Sequence, residues 1–537
     1  KCDWSSDVCS SDLTTKSFVG KGEKLTAEKG NISITAKNTP KLSALVTSAG
    51  VGMAGVGATV ANVTSNDKSN VFISDGAKLT ATSGTVHVKA EMARPDSGEN
   101  FFAHAIAGGG GVVAGAVSVV DVNVAHETGV SIGQGVSIHA KKADMSAIHD
   151  AKSKIEMESV AAGQYSGAGG ETNYTEKSEV KVTVGDGSTI TTDDETSIKA
   201  DNQTEKSQKV TSGGAALASG NGIVSDTTIT HNTKANIGKV TMKANAAELS
   251  EAEKAAGKTI HDKNAITIDA RSNVVSSDDN TLTTGSVVGA AHVKNTHTVN
   301  ATTETSVADG ATLLAGETEK TKGKYELSLD QAGKSSHDYR GGSIVIGSRN
   351  DAKLTGTTLV DVFGAAGYAG SENNVTYTGK TNTTFGATAE TAKGDIDVMA
   401  GRDSNGEMGT IEVRAHSDIL NATAIPISIK KDPVAKIDSK AKLDVRKAAD
   451  MKSDRDIGLK SKAGNLVAVG SGEVKDWVNA VGEAFGAEGS SIGKKEISSS
   501  ADVEMNGKAE TGIHRNQFIE IGGTDEAGTW NTTIKGS

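Results

Sequence analysis

Residues able to do chemistry are few in this chain, and none stand in a working arrangement. Two adjacent acidic pairs, Asp193-Asp194 and Asp278-Asp279, are the kind of carboxylates that polysaccharide lyases and hydrolases use as acid and base. Each pair lies in a Ser/Thr/Asn-rich stretch and reads as solvated turn residues, with no basic partner placed beside it. Aromatic residues, on which sugars would stack, make up only 3% of the chain. The 12 His include His139 with His149 and His292 with His297. None sits in an H-E-x-x-H or Cys/His frame, so no metal site is read. Gly185-Asp186-Gly187 is too short for a calcium-binding nonapeptide. Gly108-Gly109-Gly110-Gly111 is not followed by G-K-[ST], so it reads as strand packing and not as a phosphate loop. Asn-x-Thr triplets such as Asn62-Val63-Thr64 and Asn173-Tyr174-Thr175 belong to Asn/Thr-rich turns. No catalytic residue, cofactor site or metal ligand set is assigned, and the chain reads as a non-enzyme.

The elements that would have to position such residues are repeated. VFISDGAKLTA (Val71 to Ala81) holds two alternating apolar runs around Asp75-Gly76. Alternation reads as strand, because successive side chains point to opposite faces. Asp-Gly reads as a corner, because Gly accepts positive φ and Asp bonds its own backbone. The pattern returns at Val130 to Ala140, Val182 to Thr192 and Thr305 to Ala315, with degenerate copies at Lys21 to Ala27 and Ala235 to Ala244. A third segment of the form G-x-I-x-I-x-A follows, as in Ser83 to Ala90, Asn264 to Ala270 and Gly394 to Ala400. No single unit can bury its apolar face, so units must stack and pair their edges with one another. The class is all-β: a parallel β-helix, or β-solenoid, with short helical and loop insertions. Three strands and their corners take about 20–25 residues. Each repeat should then span two or three coils, and the chain should form a rod on the order of 100 Å.

Composition agrees. Only 4 Pro occur in 537 residues, which suits long hydrogen-bonded ladders. A net charge of −11 argues against nucleic acid as a partner, since phosphate contacts need basic surface. Lys1 to Leu13, with both cysteines (Cys2 and Cys9), matches nothing in the repeats. It reads as a non-native, adapter-like segment. Residues 14–407 form the repetitive solenoid, and 408–537 a more degenerate continuation. The whole reads as an internal fragment of a longer protein.

Ser43 to Thr64 and Ala105 to Val120 carry no Asp, Glu, Lys or Arg. Length alone would allow a membrane span, but Gly and β-branched residues are poor helix formers. The corresponding positions Lys209 to Asp226 and Thr357 to Asn374 are polar, so stacked strands are preferred. Three stretches break the repeat. Ala246 to Thr259 reads as a helix with a capping box at Ser250 and Glu253. Gly316 to Gly341 reads as a flanking loop. Val474 to Phe485 reads as an amphipathic helix with Val474, Trp477, Val478, Val481 and Phe485 on one face.

The V-x-I-x-D-G-x-x-L-x-A corners, the G-x-I-x-I-x-A segments and the Gly/Ala/Val-rich stretches resemble filamentous haemagglutinin-like exoproteins. They are similar in particular to the leukotoxin-type filamentous adhesins of anaerobic Gram-negative bacteria. The resemblance covers most of Lys21 to about Ala400. It implies a right-handed parallel β-helix, secretion through an outer-membrane transporter partner, an extracellular or cell-surface location, and adhesion or host-cell toxicity. The leading expectation is a filamentous adhesin segment that meets a host-cell receptor or glycan. The alternative is a membrane-active, leukotoxin-like segment. A polysaccharide lyase or hydrolase ranks third.

Overall fold

The structure is a computed structural model that describes residues 7–244, 255, 263–316, 342–391, 394–429, 431–453, 455–476, 490–511, 515–523 and 528–537. Every element named among these residues is a strand. The strands join into one system of parallel ladders; among the described residues the antiparallel pairings are a short one between Gly472–Val474 and Ser490–Ile492 and isolated bridges of Arg402 with Ser348 and Met408. The chain is a parallel β-solenoid, as the repeats require.

The coil is much longer than expected. Leu42 pairs with Phe101, 59 residues on. Phe101 pairs with Ser153 after 52 more, and Ala143 with Thr196 after 53. Each sequence repeat is therefore one coil, not two or three. The corner copies stack in register: Val71 on Val130, Val130 on Val182, Val182 on Ala235 and Ala235 on Thr305. With parallel strands about 4.8 Å apart, the stack is on the order of 40 Å long, not 100 Å. The missing length goes sideways.

Each coil has a base and a fin. In the base, short strands at the Asp-Gly corners wrap a core of Val, Ile, Leu, Met and Ala, among them Val71, Leu79, Val88, Ile138, Ile198 and Met242. The fin is an out-and-back excursion whose two arms face each other. Within strand Thr196–Ile237, Lys206 Nζ donates to Thr227 Oγ1 at 2.7 Å, 21 residues away. Gln208 Nε2 donates to Ser225 Oγ, only 17 residues away. The closing gap marks a turn near Leu217. Inward and outward residues alternate along both arms and lose that rhythm at the tip, as a sheet folded back on itself demands. Phe101, Val120, Ile155, Val210, Ile223, Val274 and Val360 fill the fin interior.

The uncharged stretches are fin arms and tips, and they are strands, as preferred over a membrane helix. Their glycines allow close approach. A Cβ on Gly55 would land on Gly110 O, and one on Gly57 on Gly108 O. Gly364 combines φ +153 with a Cβ position that collides with Ser286 O of the preceding coil. Gly364→Ala should lose roughly 1–3 kcal/mol to backbone strain, with the collision adding to it. Gly220→Ala, where a Cβ meets open space, should stay within about 0.5 kcal/mol. Urea unfolding followed by circular dichroism separates the two.

Several expectations need correction. The corner aspartates bond the next coil and not their own turns. Asp75 Oδ1 accepts from Gln134 N and Asp186 Oδ1 from Lys239 N, both at 2.8 Å, so each staples the next coil. Gly76 and Gly187 do take the left-handed conformation, at φ +69 and +73. Val474 to Asp476 end strand Asn465–Asp476, with Val474 fully buried and paired with Ile419. Pairing with the coil beneath, which no helical periodicity can report, decides this. The rest of that expected helix, the helix at 246–259 apart from residue 255, and the loop beyond Gly316 lie outside the described residues. Asp7–Ser11, in the segment set apart as adapter-like, pairs in parallel with Ala61–Ser65. An open strand edge accepts any extended chain, so this pairing concerns geometry and not origin.

Candidate interaction surface

Among the described residues, stacking of the fins lines up seven tips. The pairing aligns residues 51–58, 110–117, 162–169, 215–222, 285–292, 363–370 and 422–429. None of these seven windows of eight residues contains Asp, Glu, Lys or Arg. Since 23% of the chain is charged, an even spread would place about 13 charges there. The result is a continuous uncharged crest along one edge of the solenoid. Its outward side chains, Gln164 apart, are mainly apolar: Val51 is 88% exposed, Met53 84%, and Val113, Leu217, Val288 and Ile425 half or more. Isolated exposed aliphatics need no explanation, whereas a contiguous line of them marks an interaction surface.

The crest has polar flanks. Asp121, Glu158, Glu171, Asp361, Glu372 and Asp418 stand on the outer faces of the arms just below it, against Lys209, Lys294 and Lys431. On the return-arm side, Gly220, Ala290, Tyr368 and Ile427 line a shallow apolar trough that continues the crest.

Below the crest the fin interior becomes polar and titratable, which sequence reading missed. Ser65 Oγ donates to Asp67 Oδ2 at 2.7 Å and lies 2.9 Å from His126 Nε2. His126 Nδ1 is 2.9 Å from His149 Nε2, and His149 Nδ1 is 2.9 Å from Asn202 Oδ1. In the next layer Glu176 accepts from Tyr174 and Thr204, with His231 Nε2 at 3.8 Å. Further along, Lys206 is fully buried against Asp278, and His297 Nδ1 lies 3.2 Å from Asp278 Oδ2. Lys206 also donates to Gln208 Oε1 at 3.0 Å.

The charge states follow from burial and pairing. Burial and the neighbouring His126 push His149 down to about 3, and burial lowers His126. Burial lowers His297 to about 4, against the pull of Asp278. Burial opposes the Glu176 carboxylate, yet His231, His149 and Thr204 outweigh it and hold it at about 2. At Asp278 burial is likewise outweighed, by His297 and Lys206. At Lys206 burial wins and lowers the ammonium. The partners thus pull opposite ways. Asp278, Thr227 and Gln208 all accept from Lys206 Nζ, so the charged pair is the state this geometry serves.

The residues singled out from the sequence scatter through this frame. Asp194 is buried and paired with Lys142 at 3.3 Å and Lys263 at 3.4 Å, while Asp193 is solvated. Asp278 is not a solvated turn residue, as expected, but a buried mid-arm one. Strand alternation turns Asp279 outward and Asp278 inward. Neither acidic pair forms two carboxylates facing one cleft. His149 and His297 are buried, whereas His139 is exposed. Gly108 to Gly111 form a fin tip. Among the described residues no group of three or more His, Cys, Asp or Glu could hold a metal. The signal for the buried network lay in the alternation: Glu176, His231, Lys206 and Asp278 occupy inward positions of their strands.

No protein-family model, curated protein or solved structure matches this chain. The crest and the network therefore have to be read from their own chemistry.

Proposed function

We propose that the chain is a segment of a secreted or cell-surface filamentous adhesin, a stiff non-enzymatic shaft that attaches to host or neighbouring cells. The observation that carries this reading is the crest: one contact line, repeated coil after coil, that no catalytic group interrupts. Repetition lets weak contacts add by avidity. The lyase or hydrolase reading has little left, because the acidic residues it would use are engaged in ion pairs or stand alone. Passage through an outer-membrane transporter and an extracellular location rest on the resemblance to filamentous haemagglutinin-like exoproteins.

A membrane-active segment is the second reading, favoured by the same exposed aliphatic line. Purified chain added to epithelial cells and leukocytes, with lysis scored in the same wells, separates the two. Saturable binding without lysis is the expected result. Lysis by folded protein would replace the adhesin reading with the toxin one, and the absence of both would overturn each.

A further inference from the structure

We infer that the crest seats against the surface of a zwitterionic phospholipid layer. The inference deepens the adhesin reading by naming its partner class. Three features point there. First, the crest is a narrow ridge with a shallow trough on its return-arm side, and not a deep pocket. Seven coils at about 4.8 Å and two sheets about 10 Å apart give a strip roughly 30 by 10 Å. That is about 300 Å², well below the roughly 800 Å² per partner of a standard protein interface. Two such ridges cannot bury enough of each other to dimerise, but a fluid layer closes around a ridge of any width.

Second, the backbone is prepared for an apolar medium. On both arms of each inner tip the strands are paired with the coils before and after. Ala215 pairs with Ala162 and Gly285, and Ala218 with Tyr165 and Val288. Paired arm backbone enters lipid without stranding polar groups, whereas at the apex Leu217 is out of register with both neighbouring coils. In the second and third fins Ala107, Ala114, Ala116, Ala161 and Ala168 pack together between the arms.

Third, charge selects the kind of lipid. With the turn near Leu217, the uncharged window 215–222 runs two residues down one arm and five down the other, so at least roughly 7 Å below the tip is free of charge on both arms at strand rise. That matches the depth of interfacial burial. Immediately below it Glu158, Glu171, Asp361, Glu372 and Asp418 outnumber Lys294 and Lys431, on a chain of net charge −11. An acidic flank repels anionic headgroups and tolerates phosphatidylcholine.

The test is co-sedimentation of the full chain with phosphatidylcholine vesicles, with and without phosphatidylserine. Val51→Glu, Leu217→Glu and Ile425→Glu are combined in one variant; all three positions are solvent-exposed, so folding should hold and circular dichroism checks it. The control is Val275→Glu. Val275 is also exposed, but it stands at the foot of the fin in a row with Lys353 and Glu205. The expected result is saturable binding that phosphatidylserine does not strengthen. The triple variant should lose it at least about tenfold, and Val275→Glu should keep it. A Tyr165→Trp reporter should shift to the blue on binding and be quenched by brominated lipid.

No partition into phosphatidylcholine, or equal binding by the triple variant, would overturn the inference. If cells still bind the chain but vesicles do not, the adhesin reading stands and the crest takes a protein or glycan. If the triple variant abolishes a self-association seen by sedimentation velocity while vesicles stay unbound, the crest belongs to a second copy and the lipid assignment falls.

Discussion

Lys206→Ala should destabilise the fin by about 3–5 kcal/mol, the loss expected when one member of a buried ion pair is removed. Lys206 is fully buried, paired with Asp278, and lies 5.4 Å from the centre of the Tyr174 ring. Truncation leaves Asp278 charged with only His297 and the Thr227 hydroxyl facing it, and it empties the volume that the long side chain fills. Thr227 and Gln208 lose their donor as well. The measurement is the urea midpoint followed by circular dichroism, together with amide exchange across Thr196–Ile237. The combined variant Lys206→Met with Asp278→Leu should recover most of the loss, because replacing both charges by apolar groups removes the desolvation cost. If the double variant is as unstable as the single one, the pair is not what Lys206 contributes.

Acid should weaken the solenoid before any carboxylate of ordinary behaviour titrates. His149 sits at about 3, His297 at about 4, and His126 below its ordinary value in the folded chain. Unfolded histidines take up protons near 6.5. Between 6.5 and the folded values the unfolded chain binds more protons, so stability falls as pH falls. His149 alone accounts for about 3 kcal/mol by pH 4. Glu176, held at about 2, adds a loss that begins only below about 4.5, where its unfolded counterpart protonates. Asp269 acts the other way. Burial raises it to about 6, so its protonation between 6 and 3.8 favours the folded state. Burial raises Asp201 and Asp361 as well, and they act in the same sense as Asp269, but the three histidines begin to lose stability at pH 6.5, above these carboxylates. Urea midpoints taken from pH 8 to 4 should fall below 6.5, and His149→Gln should flatten the curve. A midpoint constant down to pH 4.5 would exclude the histidines as its cause.

Aspartate at a corner illustrates how far local reading goes. Asp75-Gly76 and Asp186-Gly187 were legible as turns because left-handed glycine is a property of one residue. That the same carboxylates hold the next coil was not legible, because the N–H groups they reach lie over fifty residues away. Lys209 to Asp226 was aligned with the uncharged stretches from its texture, and register bears that out: Lys209 stacks on Glu156, in the row of His104. Yet Asn221 reads only as a polar variant in the sequence. In the fold its side chain links three coils, accepting from Ala168 N at 2.7 Å and donating to Thr284 Oγ1 at 2.6 Å.

The amino-acid order by itself determined that this is an all-β chain of stacked repeats, where its corners lie, and which copies lie over which. Period-two alternation, glycine conformation and β-branched composition are local, and they repeat often enough to be read without coordinates. Only the tertiary structure decided that one repeat makes one coil, that the extra length folds into a two-layered fin, and that seven uncharged windows meet in one crest. Those facts depend on which arm faces which across the fin and on the register between coils 52 to 78 residues apart. Such distances are set by packing and pairing summed over the whole stack.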